Sequence, residues 1–222
     1  MCGRFTLAAA PEAVAAAFEL PEAPPLTPRY NIAPSRPVCA VRTGEGTRRE
    51  AVFLRWGLIP SWSNDPAIGN RLINARAETL VEKPSFRAAF KARRCLVVAD
   101  GFYEWQRQDG TKQPFYLRLQ DARPFAFAGL WERWEPGEGP TVETCTIITT
   151  AANAVLAPIH ERMPVILAPD DYERWLDPSL HQAEALLPLL RPYPPEAMHS
   201  HPVDIRVGNP IYDNPRCVEP VD

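Results

Sequence analysis

The chain has 222 residues, 45% apolar and 23% charged, which excludes a disordered or fibrous class. It contains no run of 18 apolar residues, so no transmembrane helix is expected, and MCGRFTLAAAPEAV lacks the charged-then-apolar build of a signal peptide. A net charge of −3 provides no global field for polyanions, although it leaves room for a local basic groove.

Five cysteines at positions 2, 39, 95, 145 and 217 are odd in number and scattered. A reducing compartment is therefore expected rather than a disulfide framework. Of the 24 basic residues only Lys83, Lys91 and Lys112 are lysines. In an Ala- and Pro-rich chain this reads chiefly as the bias of a G+C-rich genome, though the arginine fork suits phosphate.

In chain order, Pro11 to Leu20 suits a short helix with Val14, Ala17 and Phe18 on one face. Pro21 to Pro37 is too rich in proline for a helix or a central strand and reads as an ordered connector. Strand-like runs follow at Val38–Arg42, Ala51–Arg55, Cys95–Ala99, Phe102–Arg107, Phe115–Leu119, Phe125–Trp131 and Thr144–Thr149, with an Asp109-Gly110 turn signal. Ser85–Arg93 reads as helical, as does Asp170–Leu176, and Ser179 with Gln182 forms a capping-box pattern before a helix that Pro188 ends. Many strands with a few peripheral helices predict an α+β fold. The expectation is one domain over 1–222 with a strongly curved, largely antiparallel, barrel-like sheet.

Four segments hold residues suited to chemistry. Once the initiator Met is removed, Cys2 carries a free amine beside its thiol, two nucleophiles that work near neutral pH. With an aldehyde this aminothiol forms an imine and then a thiazolidine; with an amide it acts as an N-terminal nucleophile. In LINARAET, Asn74 and Arg76 are two apart and share a face in extended chain, where Asn orients an amine or oxyanion and Arg holds an anion. Glu104 stands among Phe102, Tyr103 and Trp105, a setting that raises a carboxyl pKa and suits proton shuttling. Alternation puts Glu104 and Trp105 on opposite faces, so a shared site requires a twist, a bulge or the sheet rim. His160 precedes a charged pair and a proline and is the candidate proton donor and acceptor in a loop. His199 and His201 form a pair, but no Cys lies at zinc spacing and carboxylates are sparse nearby, so neither metal nor cofactor is expected.

Taken together the segments resemble the SRAP (SOS response-associated peptidase) family, through MCGRF at 1–5, RYNIAP at 29–34, WGLIPSW at 56–62, NARAET at 74–79, ADGFYEW at 99–105, HERMP at 160–164 and VGNP at 207–210. The resemblance implies a curved β-barrel-like fold with a DNA groove, and covalent crosslinking to abasic sites in single-stranded DNA. It implies that Cys2 is the crosslinking residue, surrounded by Asn74, Glu104 and His160. Arg4, Arg76, Thr149 and Arg162 would then contact DNA, with Trp62 and Trp105 against bases. Trp62 is followed by Ser63-Asn64 where some relatives carry a second Trp, which implies weaker stacking. A monomer in the bacterial cytoplasm, without membrane contact, is expected. The alternatives are an N-terminal-nucleophile amide hydrolase, either glutaminase or peptidase, and a non-enzymatic single-strand binding module.

Overall fold

The computed structural model describes residues 2–44, 48–108 and 110–221. Its strands are β1 (Phe5–Leu7), β2 (Arg29–Ile32), β3 (Pro37–Thr43), β4 (Arg49–Trp56), β5 (Asn74–Arg76), β6 (Arg94–Ala99), β7 (Gly101–Gln108), β8 (Thr111–Leu119), β9 (Phe125–Trp134), β10 (Val142–Ala151), β11 (Arg162–Pro164), β12 (Ile166–Leu167) and β13 (Met198–Pro202). The α-helices are short: α1 (Pro11–Phe18), α2 (Arg87–Ala92), α3 (Tyr172–Leu176) and α4 (Ala183–Leu186). No described helix is long and apolar enough to cross a membrane.

The α+β expectation holds, and the barrel is closed. β10 pairs with β4, β4 with β3, β3 with β6, β6 with β9, and β9 returns to β10. Closure leaves these five strands with no open edge between them. The β10–β4 pairing is parallel and the other four are antiparallel. Every residue of β6 is buried, as its continuous apolar run requires. Gly129 of β9 belongs to this crowding: a Cβ there would come within 2.9 Å of Cys95 Sγ and Val97 Cγ2.

A second, five-stranded antiparallel sheet runs in the order β13-β8-β7-β1-β2. Its inner face meets the barrel through edge-to-face rings, with Phe5 on Trp56 at 5.2 Å and Phe5 and Phe102 each on Phe127 at 5.8 Å. Its outer face, at Tyr103 and Tyr116, is covered by Val203, Val207 and Cys217 of the C-terminal segment. β7 is thereby packed on both sides.

All seven expected strands are present, lengthened by their partners. The proline-rich connector contains β2, at the sheet edge where proline-flanked chain is tolerated. Of the Asp109-Gly110 turn, Asp109 lies outside the described residues; Gly110 has φ +81°. The capping box is a correction. Ser179 donates its hydroxyl and backbone N–H to Asp177 Oδ1 at 2.7 and 2.8 Å, and the helix starts at Ala183 with Gln182 before it. A local Asx turn has outcompeted the longer-range cap. The first half of Asp170–Leu176 is likewise a 3₁₀ turn, Pro169–Asp171, leading into α3.

Candidate functional site

The chain start is built into the core. β1 pairs with β7 on one side, Phe5 opposite Phe102 and Thr6 opposite Gly101, and with β2 on the other. The N–H groups of Tyr103 and Asp100 donate to the carbonyls of Arg4 and Thr6, each at 3.0 Å. Asp100 adds side-chain ties to the N–H groups of Ala8 and Ala9 at 2.6 and 2.8 Å and to the Thr6 hydroxyl. Cys2 leads into this strand and is fully buried. A stretch that sequence alone leaves open to fraying is thus fixed by tertiary pairing.

Asn74 reaches Cys2 from the barrel side. β5 lies parallel to β10, with Asn74 opposite Ile147 and Arg76 opposite Thr149. Asn74 Nδ2 donates to the Cys2 carbonyl at 2.8 Å. Its Oδ1 is buried and has no hydrogen-bond partner among the described residues. An unsatisfied buried acceptor beside Cys2 is costly for the fold and suits a donor that arrives during function. Burial raises the Cys2 thiol far above its ordinary pKa, and the Glu104 charge adds to the rise. The thiol is therefore protonated at neutral pH.

Glu104 sits on β7 opposite Phe115 and is 2% exposed. Burial raises its carboxyl pKa, with the nearby His160 charge opposing. His160 follows a turn capped by Asn153, whose Oδ1 accepts from the N–H groups of Val155 and Leu156 at 3.1 Å. The backbone N–H of Arg162 donates to His160 Nδ1 at 2.9 Å. The Arg162 carbonyl lies 3.2 Å from the same Nδ1, so this nitrogen accepts in one tautomer and donates in the other.

Glu104, Trp105 and His160 line one cleft of about 750 Å³, with Gln106, Arg107, Lys112, Pro158, Ile159, Glu161 and Gly208. Glu104 and Trp105 share it despite their alternation. Cys2 and Asn74 do not line the cleft; Cys2 is coupled to it through the Glu104 charge.

The remaining expected DNA contacts are distributed differently. Arg4 is turned to the C-terminal segment, donating to Asn31 Oδ1 at 3.1 Å and to the carbonyls of Val207 and Gly208 at 2.8 and 3.1 Å. Arg162 forms a two-pronged ion pair with Glu78 at 2.7 and 3.0 Å and donates to the Thr149 carbonyl at 2.7 Å. Hydrogen bonding to Arg162 lowers the Glu78 carboxyl pKa. Thr149 is fully buried. Arg76 is exposed next to Ala75, beyond Asn74. Trp62, 56% exposed, stands on a loop fixed by the Trp134 indole donating to the Ser63 carbonyl at 2.7 Å.

Sequence reasoning passed over two participants, Glu78 and Asn31. Glu78 was visible only as the acid of NARAET, and its partner lies 84 residues away. Asn31 Nδ2 donates to the carbonyls of Val207, Asn209 and Tyr212 at 3.0, 3.0 and 2.8 Å. With Arg4 it joins MCGRF, RYNIAP and VGNP in one hydrogen-bonded cluster. Those motifs carried the signal, but no spacing rule reveals that they meet.

A family model described as SOS response associated peptidase (SRAP) matches residues 1–210. "Abasic site processing protein YoqW" of Bacillus subtilis (strain 168) is similar, at 43% identity over 223 residues and 99% of each chain. "Abasic site processing protein YoaM" of the same organism is 44% identical over 214 residues, 95% of this chain and 94% of its own. A crystal structure of a protein from Bacteroides thetaiotaomicron matches with a TM-score of 0.88 and 30% identity over 100% of both chains. With a family model spanning 1–210 and relatives this similar over nearly their whole length, the chain belongs to the SOS response associated peptidase (SRAP) family.

Proposed function

We propose that this protein recognises abasic sites in single-stranded DNA and joins them covalently through Cys2, acting as a monomer in the bacterial cytoplasm. The names of its relatives support the lesion class. The observation that carries the chemistry is the Asn74 amide: it holds the Cys2 backbone through Nδ2 and keeps a buried, unfilled acceptor, Oδ1, beside it. Once Met1 is removed, the new α-amine of Cys2 is the donor that this acceptor suits.

The steps follow from the groups present. The abasic sugar opens to its aldehyde, with the His160 imidazole as the acid at the ring oxygen. The Cys2 amine attacks C1′, forming a C–N bond and a carbinolamine. Glu104, its pKa raised by burial, donates a proton to the departing hydroxyl, which leaves as water to give the iminium, and the resulting carboxylate takes the N–H proton back to give the imine. The Cys2 thiol then adds across C=N: a C–S bond forms and the thiol proton ends on nitrogen, closing the thiazolidine. Arg76, Arg162 and Arg4 serve DNA contact, Thr149 acts from within by holding Arg162 through its carbonyl, and Trp62 and Trp105 are the base-stacking surfaces.

The test incubates Met-processed protein with a uracil-containing single strand treated with uracil glycosylase, followed by a denaturing gel. The expected result is a heat-stable shifted band that is absent without the abasic site and absent in Cys2→Ala. Cys2→Ser keeps the amine and should give an adduct trapped only by borohydride. A heat-stable band from Cys2→Ala would overturn the chemistry.

A further inference from the structure

From the cleft lining we infer that the outer end of the β7–β8 hairpin is a second phosphate-binding site, in which Arg107 and Lys112 grip the DNA backbone beyond the reacting sugar. The inference rests on the single-strand reading of the same cleft and extends it to two residues given no role above.

Arg107 lies directly opposite Lys112, and Trp105 opposite Pro114. Like charges directly opposite one another across an antiparallel pair are destabilising, and both of these side chains are exposed. A bound anion relieves that repulsion. Trp105 and Arg107 are two apart on one strand, so they project from the same face about 7 Å apart. Trp105, Arg107 and Lys112 all line the cleft that holds Glu104 and His160.

A half-buried aromatic followed by two cations in one groove is the arrangement that binds a base by its face and the next phosphates by charge. From Glu104 to Arg107 is three residues of strand, about 10 Å, so the phosphates held are those close to the reacting sugar. The groove floor is braced by Gln106 Nε2, which donates to the Pro158 carbonyl at 2.9 Å. Glu161, beside His160, is an acid lining the same cleft. It narrows the run of positive potential to the hairpin side and so sets the path of the strand.

The test uses undamaged oligothymidine labelled with fluorescein, and reads anisotropy at several salt concentrations. Arg107→Gln with Lys112→Gln is compared with native protein and with a charge-matched control, Lys83→Gln with Arg174→Gln. The plot of log affinity against log salt should flatten by about 1.4 in the hairpin variant, at about 0.7 for each phosphate no longer neutralised. Affinity at low salt should fall roughly tenfold. All four positions are exposed, so unchanged melting temperatures are expected. A native-like slope in the hairpin variant, or an equal loss in the control, overturns the inference alone. Failure of the native protein to bind the strand overturns the single-strand reading and the inference with it.

Discussion

Asn74 donates its side-chain amide to the Cys2 carbonyl at 2.8 Å across 72 residues of sequence, and the oxygen of the same amide is buried with no partner among the described residues. One group thus fixes the Cys2 backbone and presents an acceptor beside it. Asn74→Asp keeps an oxygen at the second position but loses the donor, whereas Asn74→Leu loses both. Asn74→Leu should destabilise the fold by no more than about 1 kcal/mol, because the unfilled acceptor disappears along with the bond. Crosslinking should slow at least tenfold, as expected when a reacting group is misplaced. Urea titration and single-turnover gels separate the two effects; equal rates in native and Leu protein would remove Asn74 from the site.

Glu104 sets function against stability. Its carboxyl pKa is raised in the folded state, chiefly by burial. Between the usual carboxylate range and that raised value, the unfolded chain has released the proton and the folded chain has kept it. Stability therefore declines as pH rises through this window. Glu104→Gln removes the dependence. Its melting temperature relative to native should improve from pH 4 to pH 8, while crosslinking falls about 10²-fold or more. A variant whose relative melting temperature declines over that range would show the carboxylate to be stabilising.

On the proposed DNA role of Arg162, Glu78 is the group with which a phosphate would compete. The pair is two-pronged, with Glu78 about half exposed, so a phosphate reaching Arg162 must displace or share it. Glu78→Gln should tighten binding to an undamaged single strand about threefold at low salt and leave melting almost unchanged, since exposed pairs contribute little. Arg162→Gln should weaken binding. Weaker binding in Glu78→Gln would mean that the acid is needed to hold the guanidinium in place.

The ADG turn tests the docking of the chain start. A Cβ on Gly101 would overlap the Tyr116 hydroxyl, which contacts Thr6 Oγ1 at 3.1 Å beside Asp100. Gly101→Ala should destabilise by about 1–3 kcal/mol, as overpacking does. Crosslinking should slow as well, because Cys2 leads directly into β1. Measuring the rate far below the melting temperature tells displacement of β1 from unfolding. A destabilised protein with an unchanged rate would uncouple the two.

Much of this was legible in the residues. The seven long strands could be read because apolar and β-branched runs bounded by turn residues admit few other structures, and β6, buried throughout, is the plainest case. Short elements were not legible: β1, β5 and β11 have three residues each, too few for periodicity to register, and they exist because longer strands pair with them. The Ser179 cap failed for a related reason, since a neighbouring Asp177 gave the same hydroxyl a nearer partner.

The identities of Cys2, Asn74, Glu104 and His160, with the nucleophile, orienting, carboxyl and imidazole chemistry of each, were determined by the sequence itself, because reactivity belongs to the side chain. Their protonation and their neighbours were decided by the tertiary structure. Only the packing of β1 and β7 against the barrel buries Cys2 and Glu104 and so raises both pKa values. Only the β5–β10 pairing brings Asn74 to the chain start, and only folding turns Arg4 towards Asn31 and Arg162 towards Glu78. Desolvation and hydrogen-bond geometry depend on which segments exclude water from one another, and that is a property of contacts between residues far apart in the chain.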